Sequence, residues 1–200
     1  MTDTFFTIEE PAEGLFKDKG SRFIAYAWPV ESEEQVREHV RMLKKEHHAA
    51  RHHCFAWRMG TEGELFRVND DGEPSSTAGK PILGQIQRLC LTNILIVVVR
   101  YFGGTLLGVS GLIHAYSEAA ADVLQNARIV TKVAQVPFSV SFDYLQMNSV
   151  MKIFKDRGLP QIKSDFDLRC RIESSVRKSE ADLLFALFRQ IEGVTTEPGS

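Results

Sequence analysis

Asp70-Asp71-Gly72-Glu73-Pro74, Thr77-Ala78-Gly79-Lys80-Pro81 and Ile94-Leu95-Ile96-Val97-Val98-Val99-Arg100-Tyr101-Phe102-Gly103-Gly104 stand close together in the chain, and their reading decides the fold. The aliphatic run Ile94 to Val99 shows no polar alternation, so it is expected to be a central strand covered on both faces. It delivers Arg100 and Tyr101 to a glycine turn. Beyond Leu107-Gly108, Gly111 opens a helical segment that continues to about Asn126 and carries the small residues Ala115, Ala119, Ala120 and Ala121. Glycines let the backbone approach a ligand closely, and free N–H groups at a helix start favour anions. With Lys80 and Arg100 adding positive charge, the stretch reads as an anion-binding cradle rather than an acid–base centre.

Two nucleotide motifs are excluded. Gly79-Lys80 is followed by Pro81 instead of the Ser or Thr of a phosphate-binding loop, and Gly103 to Gly111 lacks the GxGxxG spacing of a dinucleotide site. No cofactor is expected. Pro81 suits a first helical position, so a helix over Ile82 to Cys90 is expected with Lys80 at its start. Asp70, Asp71 and Glu73 could hold a metal or take a proton. The favoured reading is that they cap backbone amides in a sharp turn. His47, His48, His52 and His53 crowd together, but the i, i+4 pair His48 and His52 straddles a helix end, and His52 and His53 would face opposite sides of a strand. No metal site is expected from them.

Working outward, Phe5, Phe6 and Ile8 suggest a short edge strand in an otherwise polar stretch before Gly20. Lys17, Lys19 and Arg22 cluster around that glycine and read equally well as a solvated turn or a ligand contact. Phe23 to Trp28 is a strand stopped by Pro29. Ser32 with Gln35 starts a helix reaching about His47, with Val36, Val40 and Leu43 as its apolar stripe. Arg51-His52-His53-Cys54 leads into a strand through Arg58, and Leu65 to Val68 pairs with it. Arg128 to Gln135 reads as a polar connection and as the boundary between domains at 1–130 and 135–200.

The second domain reads βαββαβ: a strand over Val136–Phe142, a helix over Tyr144–Arg157 ended by Gly158, and strands over Leu159–Lys163 and Phe166–Ile172 joined by a turn at Ser164-Asp165. A helix over Lys178–Ile191 and a short strand over Gly193–Thr196 complete it. That order is the ferredoxin-like split unit. Phe142, Phe154, Phe166, Phe185 and Phe188 are assigned to its core.

The 200 residues are 44% hydrophobic with a formal charge of −2, enough for one or two packed domains and too acidic for a wholesale polycation. Three cysteines without CxxC spacing signal neither a disulfide framework nor a zinc finger. The N-terminus lacks a leader pattern and no run approaches the roughly 20 apolar residues of a membrane span, so a cytoplasmic protein without a membrane partner is expected.

Lys19-Gly20-Ser21-Arg22-Phe23, Arg51-His52-His53-Cys54, Asp70 to Pro74, Thr77 to Pro81, and Val99 to Gly104 with Leu107-Gly108 together resemble the YigZ/IMPACT family, in its bacterial two-domain branch. The resemblance implies an α+β protein. Its N-terminal domain would be similar to the second domain of a small-subunit ribosomal protein, with helices on one face of a sheet, and its C-terminal domain to one from the translocation elongation factor. Eukaryotic relatives regulate translation.

Two functions follow. One is a translation-associated binding protein that contacts RNA or the ribosome through Arg51, His52, His53, Lys80, Arg100, Tyr101 and the Gly103-Gly104 backbone. The other is an enzyme or sensor for a small phosphorylated or carboxylated metabolite. There Asp70, Asp71 or Glu73 would bind metal or accept a proton, and His53 would be the acid–base partner. The binding protein is the favoured reading.

Overall fold

The computed structural model describes residues 3–167 and 169–199. The chain divides into two compact units, one over Thr4–Lys132 and one from Val133 onward that Asp3 joins. In the first unit the elements are β1 (Thr4–Ile8), β2 (Ala12–Asp18), β3 (Ser21–Pro29), α1 (Glu33–Glu46), β4 (His52–Met59), β5 (Leu65–Asn69), α2 (Gly79–Arg88), β6 (Ile94–Tyr101), α3 (Gly108–Asn126) and β7 (Ile129–Val133). The main sheet has the order β2-β3-β6-β4-β5, with every neighbouring pair antiparallel.

β6 is the middle strand and is buried from Ile94 to Arg100. Its alternate residues Ile94, Ile96 and Val98 pack with Ile82, Ile86, Tyr116 and Val123 from α2 and α3. Leu95, Val97 and Val99 point the other way and pack with Val36 and Leu43 of α1 and with Trp57. The arrangement with helices on one face only is therefore corrected: a strand apolar on both sides needs cover on both. α1 begins as its sequence suggests, with Ser32 Oγ accepting the Gln35 N–H at 3.3 Å. Gln35 Oε1 accepts the Glu31 N–H at 2.7 Å, so two donors at the helix entry are satisfied.

Several boundaries differ from the sequence reading. β2 occupies part of the supposedly polar N-terminal stretch, and its side chains alternate weakly because it is an edge strand. α2 starts at Gly79, which places Pro81 third in the helix; the missing N–H there would have had no intrahelical partner. α3 starts at Gly108, ahead of Gly111. The polar connection at Arg128 to Gln135 is instead largely strand β7, paired with β1 as a two-stranded sheet.

The second unit contains β8 (Gln135–Phe142), α4 (Met147–Arg157), β9 (Lys163–Phe166), β10 (Cys170–Arg177), α5 (Ala181–Arg189) and β11 (Thr195–Pro198). Its antiparallel sheet runs β11-β8-β10-β9, a split β-α-β-β-α-β unit. Gly158, at φ 59°, ends α4 in the left-handed region and returns its N–H to the last turn. The turn expected at Ser164-Asp165 lies inside β9, because the chain around Pro160 is held earlier by Ile162 N–H to Glu173 O and by Ser174 Oγ–H to Pro160 O. The last strand is two residues later than expected. Phe138, Phe142, Phe154 and Phe188 form the core, whereas Phe166 is half exposed on edge strand β9 and does not belong to it.

Candidate functional site at one end of the five-stranded sheet

Strand register gathers the separated motifs. Arg22 at the start of β3 pairs with Tyr101 at the end of β6, and Arg100 pairs with His52 at the start of β4. Asn69 at the end of β5 pairs with Phe55. One end of the sheet therefore collects the Lys19-Gly20 turn, the Phe102 to Leu106 loop, Arg51-His52 and the Asp70 to Glu73 turn.

The buried layer of this site is a polar network. Arg100 Nη1 donates to Glu73 Oε1 at 2.6 Å, and the two side chains are 7% and 4% exposed. Tyr116 Oη donates to the same oxygen at 2.7 Å. The Cys54 thiol lies 3.0 Å from the Asp70 carbonyl and 3.3 Å from Tyr116 Oη. Burial pushes both the Cys54 thiol and the Tyr116 hydroxyl well up, so both stay protonated donors. Arg100 and Glu73 thus differ from the expected solvent-facing clamp and acid, because each neutralises the other inside the protein.

Asp70 and Asp71 are also engaged. Asp70 accepts N–H bonds from Gly79 at 2.8 Å, Ala78 at 3.1 Å and Ser76 at 2.8 Å, so it caps the start of α2. Burial pushes its carboxyl up, but those three bonds outweigh it and hold the group below its ordinary range. Asp71 accepts the His53 N–H at 2.7 Å and pairs with Lys44 at 3.0 Å. Burial raises its carboxyl too; these bonds win and lower it. The capping role set out for this turn is the one its hydrogen bonds display. In the alternative reading Asp70, Asp71 or Glu73 grips a metal or takes a proton; each of the three already accepts bonds from its own fold.

His53 is buried, and burial holds its imidazole below the ordinary value, which favours the neutral ring. It is enclosed under the surface, with its Nε2 lacking a hydrogen-bond partner among the described residues. His52 is partly buried, with Nδ1 3.0 Å from the Asp71 carbonyl. Tyr101 Oη lies 2.8 Å from His47 Nδ1, whose Nε2 is 2.8 Å from Tyr26 Oη. Arg22 sits over the Tyr101 ring at 5.0 Å. Among the described residues no group of three or more histidines, cysteines and acids is arranged for a metal ion.

The exposed layer is different in kind. Lys17, Lys19, Arg22, Arg51 and Lys80 are all exposed, as are Phe102, Gly103 and Gly104. Gly103 lies against the Gly20 turn so closely that an added Cβ would stand 1.9 Å from Gly20 C and 2.2 Å from Ser21 N. Gly103 N–H also donates to Ser21 Oγ at 3.1 Å. The β6–α3 loop and the basic β2–β3 turn therefore form one surface. α3 leaves that surface with no side-chain cap on its first turn. His114 is exposed on α3, edge-on to Phe16.

The molecule defined by this fold and site is a two-unit α/β protein whose first unit carries a buried ion-pair network beneath an exposed basic, glycine-rich sheet end. The Impact N-terminal domain family matches residues 19–124, which span that unit's site. The IMPACT family member YvyE of Bacillus subtilis is 35% identical over 182 residues, 91% of this chain and 84% of that protein. The IMPACT family member YigZ of Escherichia coli is 34% identical over 150 residues, 74% of each chain. A crystal structure of a hypothetical protein superposes with a TM-score of 0.76 at 27% identity, covering 100% of this chain and 99% of that one. The chain belongs to the IMPACT family. Among the described residues no helix is long and apolar enough to cross a membrane.

Proposed function

We propose that the protein is a translation-associated binding protein whose first unit contacts RNA or the ribosome at this end of the sheet. The observation that carries the reading is that strand register brings exposed Lys17, Lys19, Arg22 and Arg51 to the end of the sheet that bears the exposed Gly103-Gly104 turn, with exposed Lys80 in the first turn of α2. Exposed cations beside an exposed glycine turn suit phosphate oxygens. Arg100, Glu73, Asp71 and His53 act beneath that surface, holding the strands and loops that present it. The ribosomal-protein and elongation-factor likenesses that the family resemblance implies for the two units would accord with translation, as does the role of eukaryotic IMPACT relatives. The metabolite-enzyme reading is weaker, since each candidate acid already accepts bonds from its own fold.

Filter binding to ribosomal RNA across a salt series tests the proposal. In Lys19→Ala/Arg22→Ala/Lys80→Ala, the loss of three phosphate contacts should lower the steepness of log K against log salt by about 2. Unchanged affinity and slope in this variant would overturn the assignment.

A further inference from the structure

Outside the sheet end, the first unit holds a second concave surface. α1 lies over β4 and β6 but leaves the outer face of β5 open, and a groove of about 580 Å³ runs between them. Its floor is apolar: half-buried Val40 from α1 and Phe55 from β4, with the buried Val36 and Trp57 beneath them. Its rim is cationic. Arg37, Arg41, Lys44 and Lys45 fall at i, i+4, i+7 and i+8, a single flank of the helix beside its buried stripe, and Arg67 faces them from β5.

The charges are unbalanced. Arg37 pairs with Glu34, Lys44 with Asp71, and Arg67 lies 3.9 Å from Glu33. Arg41 and Lys45 have no ion-pair partner among the described residues. Like charges one helical turn apart, as Arg37–Arg41 and Arg41–Lys45 are, oppose helix formation. An anion between them would relieve that repulsion. The groove has the size of a small-molecule site, an apolar bed for a planar ring, and Asn69 with Glu33 at its edge as polar groups able to orient one.

We propose that this groove binds a nucleoside phosphate, with the base against Phe55 and Val40, above the buried Trp57, and the phosphate between Arg41 and Lys45. The same chemistry is offered by a free nucleotide and by the phosphorylated end of an RNA strand. The groove reaches the sheet end at Asn69 and Lys44, but the contacts proposed here, Phe55, Arg41 and Lys45, take no part in the function proposed there.

The test is Trp57 fluorescence in the full chain carrying Trp28→Phe, titrated with AMP and with hexa-adenylate bearing either a 5′-phosphate or a 5′-hydroxyl. Saturable quenching is expected, weakened at least tenfold by Arg41→Glu/Lys45→Glu. Both substituted side chains are exposed, and unchanged circular dichroism would show the fold intact. AMP binding as tightly as the phosphorylated hexamer assigns a free nucleotide; a hexamer that binds tenfold tighter only with its 5′-phosphate assigns an RNA end. No saturable response to any probe, or the same affinity in the double variant, overturns the site. Lys19→Ala/Arg22→Ala/Lys80→Ala should leave AMP binding unchanged, so this site and the sheet-end surface can fail separately.

Discussion

Replacing Glu73 by leucine tests the centre of the buried network. Glu73 and Arg100 are 4% and 7% exposed, so the variant leaves a guanidinium buried without its counter-charge. Breaking such a pair from one side costs about 3–5 kcal/mol. Tyr116 also loses its acceptor, worth about 1–3 kcal/mol for a buried hydroxyl, while the added methyls return part of that. The net expectation is about 4 kcal/mol, or a fall in Tm of about 12–20 °C for a unit of this size. Glu73→Leu/Arg100→Met removes both charges and should recover all but about 1–2 kcal/mol, because a buried pair adds little over apolar groups of similar volume. Thermal and urea unfolding followed by circular dichroism measure both variants. A Glu73→Leu loss below about 1 kcal/mol, or a double variant no more stable than the single one, would refute the account of Arg100 as internally neutralised.

Two further outcomes follow from the same sheet end. Asp70→Asn removes the charge and turns one of the two accepting oxygens into a donor facing an N–H, weakening the α2 cap by about 1–2 kcal/mol at neutral pH. Because the Asp70 carboxyl is held below its ordinary value of 3.8, its stabilisation is present above that pH and lost as acid carries the protein through the lower folded value. Unfolding curves between pH 6 and 2 should therefore fall less steeply in the variant; a parallel fall contradicts the cap. Gly103→Ala places a methyl against Gly20 and Ser21 backbone atoms that cannot swing aside, costing about 1–3 kcal/mol. It should also weaken RNA binding, and a neutral Tm with unaltered RNA affinity would show that the two turns are not coupled.

Periodicity and local chemistry determined a good deal of this protein. The unbroken Ile94–Val99 run announced a strand covered on both faces, Ser32 and Gln35 announced the α1 entry, and Gly158 announced a helix end. The glycine and acid motifs, with the residues around them, pointed to the family, and the fold gathers them at one end of the sheet. These signals are local: each depends on residues within a turn or a strand of one another. Edge strands β2 and β7 escaped notice because half their side chains meet solvent and no strict alternation is required of them. The roles within the site were decided by tertiary structure alone. Arg100 and Glu73 look like surface charges in sequence, and only the register that sets β6 beside β4, with α3 bringing Tyr116 across, turns them inward as a pair. Likewise only the tertiary placement of β5 sets Arg67 opposite the α1 cations. Charge is written in the sequence; whether it is spent inside the fold or offered to a partner depends on which distant strand lies alongside.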